Sequence, residues 1–340
     1  MALRLLVNTG LLAIPIGGSI GTLLGIDAHR SATGQAPLFT SGGSNTSTGG
    51  DSTGGGSRSS GSATKNSVYC ETSWGISPPS DGLLYTLNPN QWGVTDSSSG
   101  ALCMNFATNG KVRAKITTFK NETYSTKTTA PEFSVTWQYD PGPETAPVHA
   151  YPNIMVDDVL PVELGNMSQV NIDVHWTYGV GNTAASSTDI SALTAEDLQT
   201  NVAIDMFFDT DKAIAQNSTQ AKYEVMVWFL EFGASAQPIG LNDGVVTTRT
   251  LNGVLFKLYT GTKTVTGNPT QNVLSWVASE PQETFTGDIY PLITDLYTLT
   301  GDVYPSASDY MGIFQFGSEA FSVNNNVTFS VPKLSIDIQT

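Results

Sequence analysis

Residues 223–230 read Tyr223-Glu224-Val225-Met226-Val227-Trp228-Phe229-Leu230. Side chains alternate across a β-strand, so Val225 and Val227 share one face, directed into a core, while Glu224, Met226 and Trp228 share the other. The same period of two recurs at 83–87, 111–118, 133–139, 170–178, 202–208, 254–259, 273–277, 311–316 and 327–331. Gly, Asn, Asp and Pro clusters separate these runs, as antiparallel hairpins require. One stretch departs from the pattern. Over 288–298, Ile289, Leu292, Ile293, Leu296 and Tyr297 fall on one face at helical spacing, and Pro291 is tolerated in a first turn. About ten strands with one helix predict an all-β fold. The expected architecture is a jelly-roll sandwich of two antiparallel sheets with one short helix.

Composition agrees. The 340 residues hold 15 Lys+Arg against 30 Asp+Glu, a formal net charge of −15, and only 13% are charged. The sequence pI is about 4.4. An acidic chain lacks the basic surface that releases phosphate counterions, which argues against a nucleic-acid partner. A hydrophobic content of 39% is enough for a sizeable core.

The chain opens with Arg4 and an apolar run to Ile26, then Asp27, Ala28, His29 and Arg30. This reads as a signal peptide over 1–28 and predicts secretion, with an uncleaved signal-anchor at a membrane as the alternative. Between 41 and 64, 20 of 24 residues are Ser, Gly or Thr, a composition that cannot build a core; residues 29–66 are assigned to a linker. One domain then covers 67–340. The two cysteines, Cys70 and Cys103, are expected to pair in an oxidising compartment, closing a loop whose entropy is worth roughly 3–4 kcal/mol. Asn45, Asn121, Asn166, Asn217 and Asn326 head Asn-x-Ser/Thr sequons, which suit a glycosylating export route.

Several short motifs carry little. Gly50-Asp51-Ser52-Thr53-Gly54 matches a nucleophile elbow but lies in the linker. Gly179-Val180-Gly181-Asn182-Thr183-Ala184 mimics a dinucleotide fingerprint without a βαβ unit around it. The only histidines are His29, His149 and His175, and no His-Glu-x-x-His occurs, so no metal or other cofactor is expected. Asp209-Thr210-Asp211 reads as a solvated turn.

Carboxylates inside apolar strands are more informative, because burying one is costly unless a function or a partner compensates. Three qualify: Glu224, Glu319 within Gln315-Phe316-Gly317-Ser318-Glu319-Ala320-Phe321, and Asp205 within Asn201-Val202-Ala203-Ile204-Asp205-Met206-Phe207. A pair of such groups can cleave a glycosidic bond, one attacking or stabilising the oxocarbenium-like centre and one protonating the leaving oxygen. By periodicity alone each could equally be a lone charge on a solvated face.

These segments resemble glycoside hydrolase family 12, the endo-β-1,4-glucanases and xyloglucanases. The strand at Glu224, followed by Pro238-Ile239-Gly240, is similar to the family's nucleophile strand. Residues 315–321 resemble its Gln-Phe-Gly-Thr-Glu-Pro-Phe acid/base motif, with Ser318 for Thr and Ala320 for Pro. Cys70, Trp74, Asn90-Gln91-Trp92-Gly93 and Cys103 follow the family's order near the N-terminus. The resemblance implies Glu224 as nucleophile, Glu319 as acid/base and Asp205 as helper, with Trp92, Asn90, Trp137, Tyr151 and Met226 contacting substrate. It implies a retaining endo-glycosidase acting on β-1,4-glucan (cellulose, mixed-linkage glucan or xyloglucan), working as a monomer. The resemblance also implies a concave substrate cleft; a xyloglucan-specific endoglucanase or transglycosylase, a non-catalytic sugar-binding jelly roll and a xylanase are the competing readings. Glu319, between Phe316 and Phe321, is expected to be desolvated and protonated for donation, and Asp205 to orient Glu224 or share its proton. Two stretches depart from the family pattern. Residues 229–236 replace a glycine-rich segment, and 179–199 is longer than usual, with Thr194-x-x-Asp197 as a helix cap.

Overall fold

Alternating strands become two stacked sheets. The computed structural model of the chain describes residues 64–70, 85–93, 100–109, 116–117, 123–124, 128–264 and 267–340. The expected signal segment, nearly all of the linker, Trp74, Asn45 and Asn121 lie outside the described residues, as does most of the strand read at 111–118.

The smaller sheet runs in the order β1 (Thr64–Tyr69), β3 (Gly100–Asn109), β6 (Phe133–Tyr139), β18 (Val327–Gln339), β9 (Gln169–Val180) and β15 (Thr284–Asp288). The larger runs β12 (Thr247–Leu251), β13 (Val254–Thr264), β14 (Thr270–Ala278), β11 (Tyr223–Phe232), β10 (Gln199–Asp209), β16 (Tyr310–Gly317), β7 (Asn153–Val156) and β2 (Tyr85–Asn88). Two short strands join it, β17 (Ala320–Ser322) on β10 and β8 (Val162–Glu163) on β16, and β4 (Ile116–Thr117) pairs separately with β5 (Thr123–Tyr124). β1 opens at Thr64, three residues ahead of the boundary read from composition. Pairing is antiparallel except between β11 and β14, which run parallel because the chain leaves β11, forms the β12–β13 hairpin at the sheet edge and returns. That hairpin turns through Asn252 and Gly253, both at positive φ (50° and 87°), the two-residue turn whose twist matches the strands.

The inner faces bury the expected residues. Val225, Val227 and Phe229 of β11 and Ile204, Met206 and Phe208 of β10 meet Val135 and Phe329 from the opposite sheet in one continuous core. β10 is buried along its entire length, on both faces. A strand covered on both sides reads as an apolar run, which is what makes the polar residues within it, Asn201 and Asp205 among them, informative.

Two α-helices occur among the described residues, where one helix was expected. The anticipated one is α2 (Tyr290–Leu296), shorter than 288–298, because Asp288 ends β15 and its carboxylate accepts from the N–H groups of Val170 and Tyr290. Leu292, Ile293 and Leu296 are fully buried beneath it. The unexpected helix is α1 (Ile190–Ala195), within the long segment after β9. The cap read at Thr194 is corrected: Asp189 caps the helix, accepting from Ala192 N–H at 3.1 Å, while Thr194 lies near its end and hydrogen-bonds back to Ile190. A short apolar-polar stretch with Asp at its start is equally compatible with a turn, which hid the helix. The Gly179–Ala184 stretch ends β9 and enters a turn, with Gly181 at φ 93°.

Cys70 and Cys103 form a disulfide, tying the end of β1 to β3. Of the sequon asparagines, Asn166 and Asn326 are exposed, and Asn217 is half-buried with its Oδ1 accepting from Thr219. Among the described residues no helix is long and apolar enough to cross a membrane.

Candidate active site

The register of three neighbouring strands gathers the carboxylates. Phe207 lies opposite Glu224 and Asp205 opposite Met226 between β10 and β11, so Asp205 and Glu224 are diagonal neighbours on the outer face of the large sheet. Diagonal neighbours stand about 7–8 Å apart, a span that long side chains close. On the other flank Ala203 lies opposite Gly317 of β16, and the chain then turns through Ser318 to present Glu319 over the same face. Gly317 is required there: a Cβ would stand 2.2 Å from the Pro152 carbonyl oxygen, and the turn could not approach β7.

Glu224 and Glu319 line one cleft open to solvent, about 570 Å³ in volume, walled by Met226, Trp228, Ile239 and Phe321. The cleft also holds Ser275, whose buried hydroxyl has no protein partner. Trp228 donates its indole N–H to the Met226 sulfur at 3.4 Å. Asp205 lies beneath, fully buried, with neither carboxylate oxygen hydrogen-bonded to protein.

Glu319 is held by a network built largely from β10. The Asn201 amide N–H donates to Glu319 Oε2, while Asn201 Oδ1 accepts from the Glu319 backbone N–H at 3.0 Å. Thr200 Oγ1 donates to the Glu319 carbonyl at 2.6 Å, and Ser318 Oγ donates to the Asn201 carbonyl at 2.6 Å. Behind Ser318, the Trp137 indole N–H donates to Tyr178 Oη at 3.0 Å, and Tyr178 lies 2.7 Å from Ser318 Oγ. Chains of satisfied buried hydrogen bonds of this kind hold a side chain in one rotamer.

Electrostatics separate the carboxylates. Burial first, and then the charge of Glu224, raise Glu319 from its ordinary 4.5 to about 7, against the opposing Asn201 hydrogen bond and the Lys263 charge. Burial, followed by Glu224, pushes Asp205 well above the usual carboxylate range, with Lys263 opposing. Burial raises the Tyr151 phenol as well, and its carboxylate neighbours Asp205, Glu319 and Glu224 add to that. Lys263 on β13 forms an ion pair with Glu224 Oε2, and both side chains are almost completely buried. Such an arrangement places a proton donor and a carboxylate on one cleft, the requirement for cleaving an acetal. Among the described residues no group of three or more His, Cys, Asp and Glu side chains is arranged to hold a metal ion.

The expected site residues divide. Glu224, Glu319 and Met226 border the cleft and Asp205 backs it. Trp92 is half-buried against Val148 and Phe321, which themselves line the cleft, and Gly93 N–H bonds the His149 carbonyl at 2.8 Å. Asn90 is buried at positive φ (44°), and its carbonyl accepts from Tyr151 N–H at 3.1 Å. Two expectations of substrate contact are corrected. Trp137 is 1% exposed and belongs to the main core, because on β6 it shares the inward face of Val135 and Tyr139. Tyr151 is fully buried, and its hydroxyl donates to the Ala203 carbonyl at 3.0 Å, so it braces β10 beside the carboxylates without reaching the cleft surface. The sequence reading missed Lys263, Asn201 and Ser275 as site residues. Parity from Asp205 would have placed Asn201 on the same face; nothing local marks Lys263, in a run of hydroxyl residues, as buried.

The Asn201 contact carries a testable sign. An N–H donor favours the ionised form of Glu319, so removing it raises the carboxyl further. Asn201→Ala is expected to move the alkaline limb of the kcat/KM pH profile upward by about one pH unit, the worth of a hydrogen bond to a charged group. An unmoved or lowered limb would show that this contact does not tune Glu319.

The sequence profile of Glycosyl hydrolase family 12 matches residues 83–339. The chain is similar to the xyloglucan-specific endo-beta-1,4-glucanase A of Aspergillus niger, at 25% identity over 279 residues that cover 81% of this chain and 92% of that protein. It is 26% identical over 276 residues to the enzyme of the same name from Emericella nidulans, with 81% and 92% covered. Its fold resembles that of Trichoderma harzianum endoglucanase 3, with a TM-score of 0.57 and 21% identity over 81% of this chain and 98% of that one. It also resembles the family 12 xyloglucanase of Bacillus licheniformis, with a TM-score of 0.58 and 15% identity over 80% and 100%.

Proposed function

Because the chain belongs to glycosyl hydrolase family 12, we propose that it is a secreted endo-β-1,4-glucanase that cleaves internal bonds of a β-1,4-glucan backbone with retention at the anomeric carbon. The observation that carries the reading is the pairing, across one cleft, of a carboxyl raised to about 7 with a second carboxylate held by a buried ammonium.

In the first step a Glu224 oxygen attacks C1 as the glycosidic C1–O bond breaks, and the Glu319 proton passes to the leaving oxygen. In the second, Glu319, now a carboxylate, takes a proton from water as the water oxygen attacks C1, breaking the ester to Glu224 and regenerating both groups. Two inversions leave the β-configuration. Asp205 keeps Glu224 oriented from below. Met226 and Trp92 contact the sugar chain, with the aromatic face suited to the C–H face of a glucose ring. The carboxylates supply both the proton and the nucleophile, so the reaction asks for no metal, and a monomer contains the whole site.

Among glucans, xyloglucan is the first substrate to test, since the Aspergillus niger and Emericella nidulans relatives are named for it. Release of reducing ends from xyloglucan, cellulose derivatives, mixed-linkage glucan and xylan, with NMR of the first product, decides the matter. The expected outcome is cleavage of a glucan with the β-anomer appearing first. The α-anomer first, cleavage of xylan alone, or oligosaccharide binding without new reducing ends would each overturn the proposal.

A further inference from the structure

Lys263 closes a run of small and hydroxyl residues, Thr260-Gly261-Thr262-Lys263. A lysine near the end of an edge-side strand ordinarily lays its stem on the sheet and keeps its ammonium in water. Here the side chain is only 3% exposed. The register explains where it goes. Gly261 lies opposite Val273 and Lys263 opposite Gln271 between β13 and β14, and Val273 lies beside Glu224 in the parallel β11 pairing. Gln271 leaves the path clear, because its amide donates to the carbonyls of Ser218 and Ala221. The ammonium crosses to Glu224 Oε2 and rests 5.9 Å from the centre of the Phe207 ring, the residue opposite Glu224 on β10. Lys263 does not border the cleft; it holds Glu224 from behind.

We propose that Lys263 is a positioning residue for Glu224: its ion pair fixes the orientation of the carboxylate and directs the negative charge of the cluster onto Glu224 in place of Asp205. This rests on the reading of Glu224 as nucleophile. The titratable and charged groups facing the pair are Asp205 from β10, Glu319 from the turn after β16 and the Tyr151 phenol ahead of β7. Three carboxyls stand around one ammonium. Asp205 and Glu319 are both pushed toward their neutral forms, and the Lys263–Glu224 ion pair gives the buried cluster its matched charges. Without the ammonium, Glu224 and Asp205 on adjacent strands would face each other with no opposite charge between them.

The test compares Lys263→Met, Lys263→Arg and the native enzyme on a soluble β-1,4-glucan across pH. Lys263→Met is expected to lower kcat about 10- to 100-fold with KM changed little, since the attacking carboxylate is misplaced and no substrate contact is lost. Its acid limb should move up by about 1–3 pH units, the effect of removing an adjacent opposite charge. Lys263→Arg keeps the charge and should retain the native acid limb. Native kcat and acid limb in a folded Lys263→Met enzyme overturn the inference, as does an Arg variant that loses the limb as fully as Met. If Lys263→Met does not fold, the Lys263→Met/Glu224→Gln double variant is measured by thermal melting. Folding of the double variant supports charge pairing, and failure of both overturns it. Glu224→Gln separates the two ideas: an inactive Glu224→Gln beside an indifferent Lys263→Met leaves the nucleophile standing and removes only the lysine's role.

Discussion

Glu224→Gln is expected to lower kcat on a β-1,4-glucan by at least about 10⁴-fold, the scale of losing a covalent nucleophile. An amide cannot form the glycosyl ester, and among the described residues no other carboxylate lines the cleft on that side: Asp205 is fully buried beneath it. The same substitution removes the partner of a buried ammonium, and orphaning a buried ion costs about 3–5 kcal/mol. Burial and the charge of Glu224 favour the neutral form of Asp205. Once that charge is gone, Asp205 is the neighbouring carboxyl able to ionise and take the ammonium, so the loss of stability should fall short of the full amount. Reducing-end release and thermal melting of the purified variant test both parts. Substantial turnover by a folded Glu224→Gln protein would remove Glu224 from the proposed role.

Glu319→Gln should lower kcat/KM on the polymer by about 10²–10⁴-fold, the contribution of a positioned general acid, while sparing kcat/KM on substrates whose leaving group needs no proton, for which hydrolysis of the glycosyl ester becomes the slow step. Its effect on stability has the opposite sign. Glu319 is raised from 4.5 to about 7 in the folded protein, so between those values the native state binds the proton more strongly than the unfolded chain. Stability on this account is complete below about 4.5 and is lost as pH rises through about 7. A glutamine does not ionise. At pH 8 the variant should therefore be more stable than the native enzyme by up to about 3 kcal/mol, with the gap closing near pH 4. The native pH–activity profile should decline on its alkaline side near 7, because the acid must be protonated to donate. Melting temperatures of both proteins at pH 4 and pH 8 check the sign, and an equal gap at both values would show that Glu319 is not the titrating group.

The site illustrates why part of the chemistry was readable from the chain and part was not. Parity along β11 placed Glu224 with Met226 and Trp228, and the cleft has all three on its wall. The parity of Phe133-Ser134-Val135-Thr136-Trp137 puts Trp137 with Val135, facing inward, and the buried alternation of β6 agrees. Assigning Trp137 to the cleft set that local rule aside in favour of family resemblance, and the local rule was the better guide. Tyr151 had no such rule, since it precedes a four-residue strand too short to show a period.

The sequence by itself determined most of the long strands (β6, β9, β10, β11, β13, β14, β16 and β18, but not β3), the faces of the central ones and the three carboxyls worth suspecting, because alternation and the cost of an isolated charge are properties of a few neighbouring residues. Only the tertiary structure decided how deeply each charge is buried and which charge answers it. Glu224, Asp205, Glu319 and Lys263 come from four separate segments of chain, and Lys263 reaches Glu224 across an intervening strand. Their ionisation depends on a dielectric and on distances that exist only once those strands are side by side.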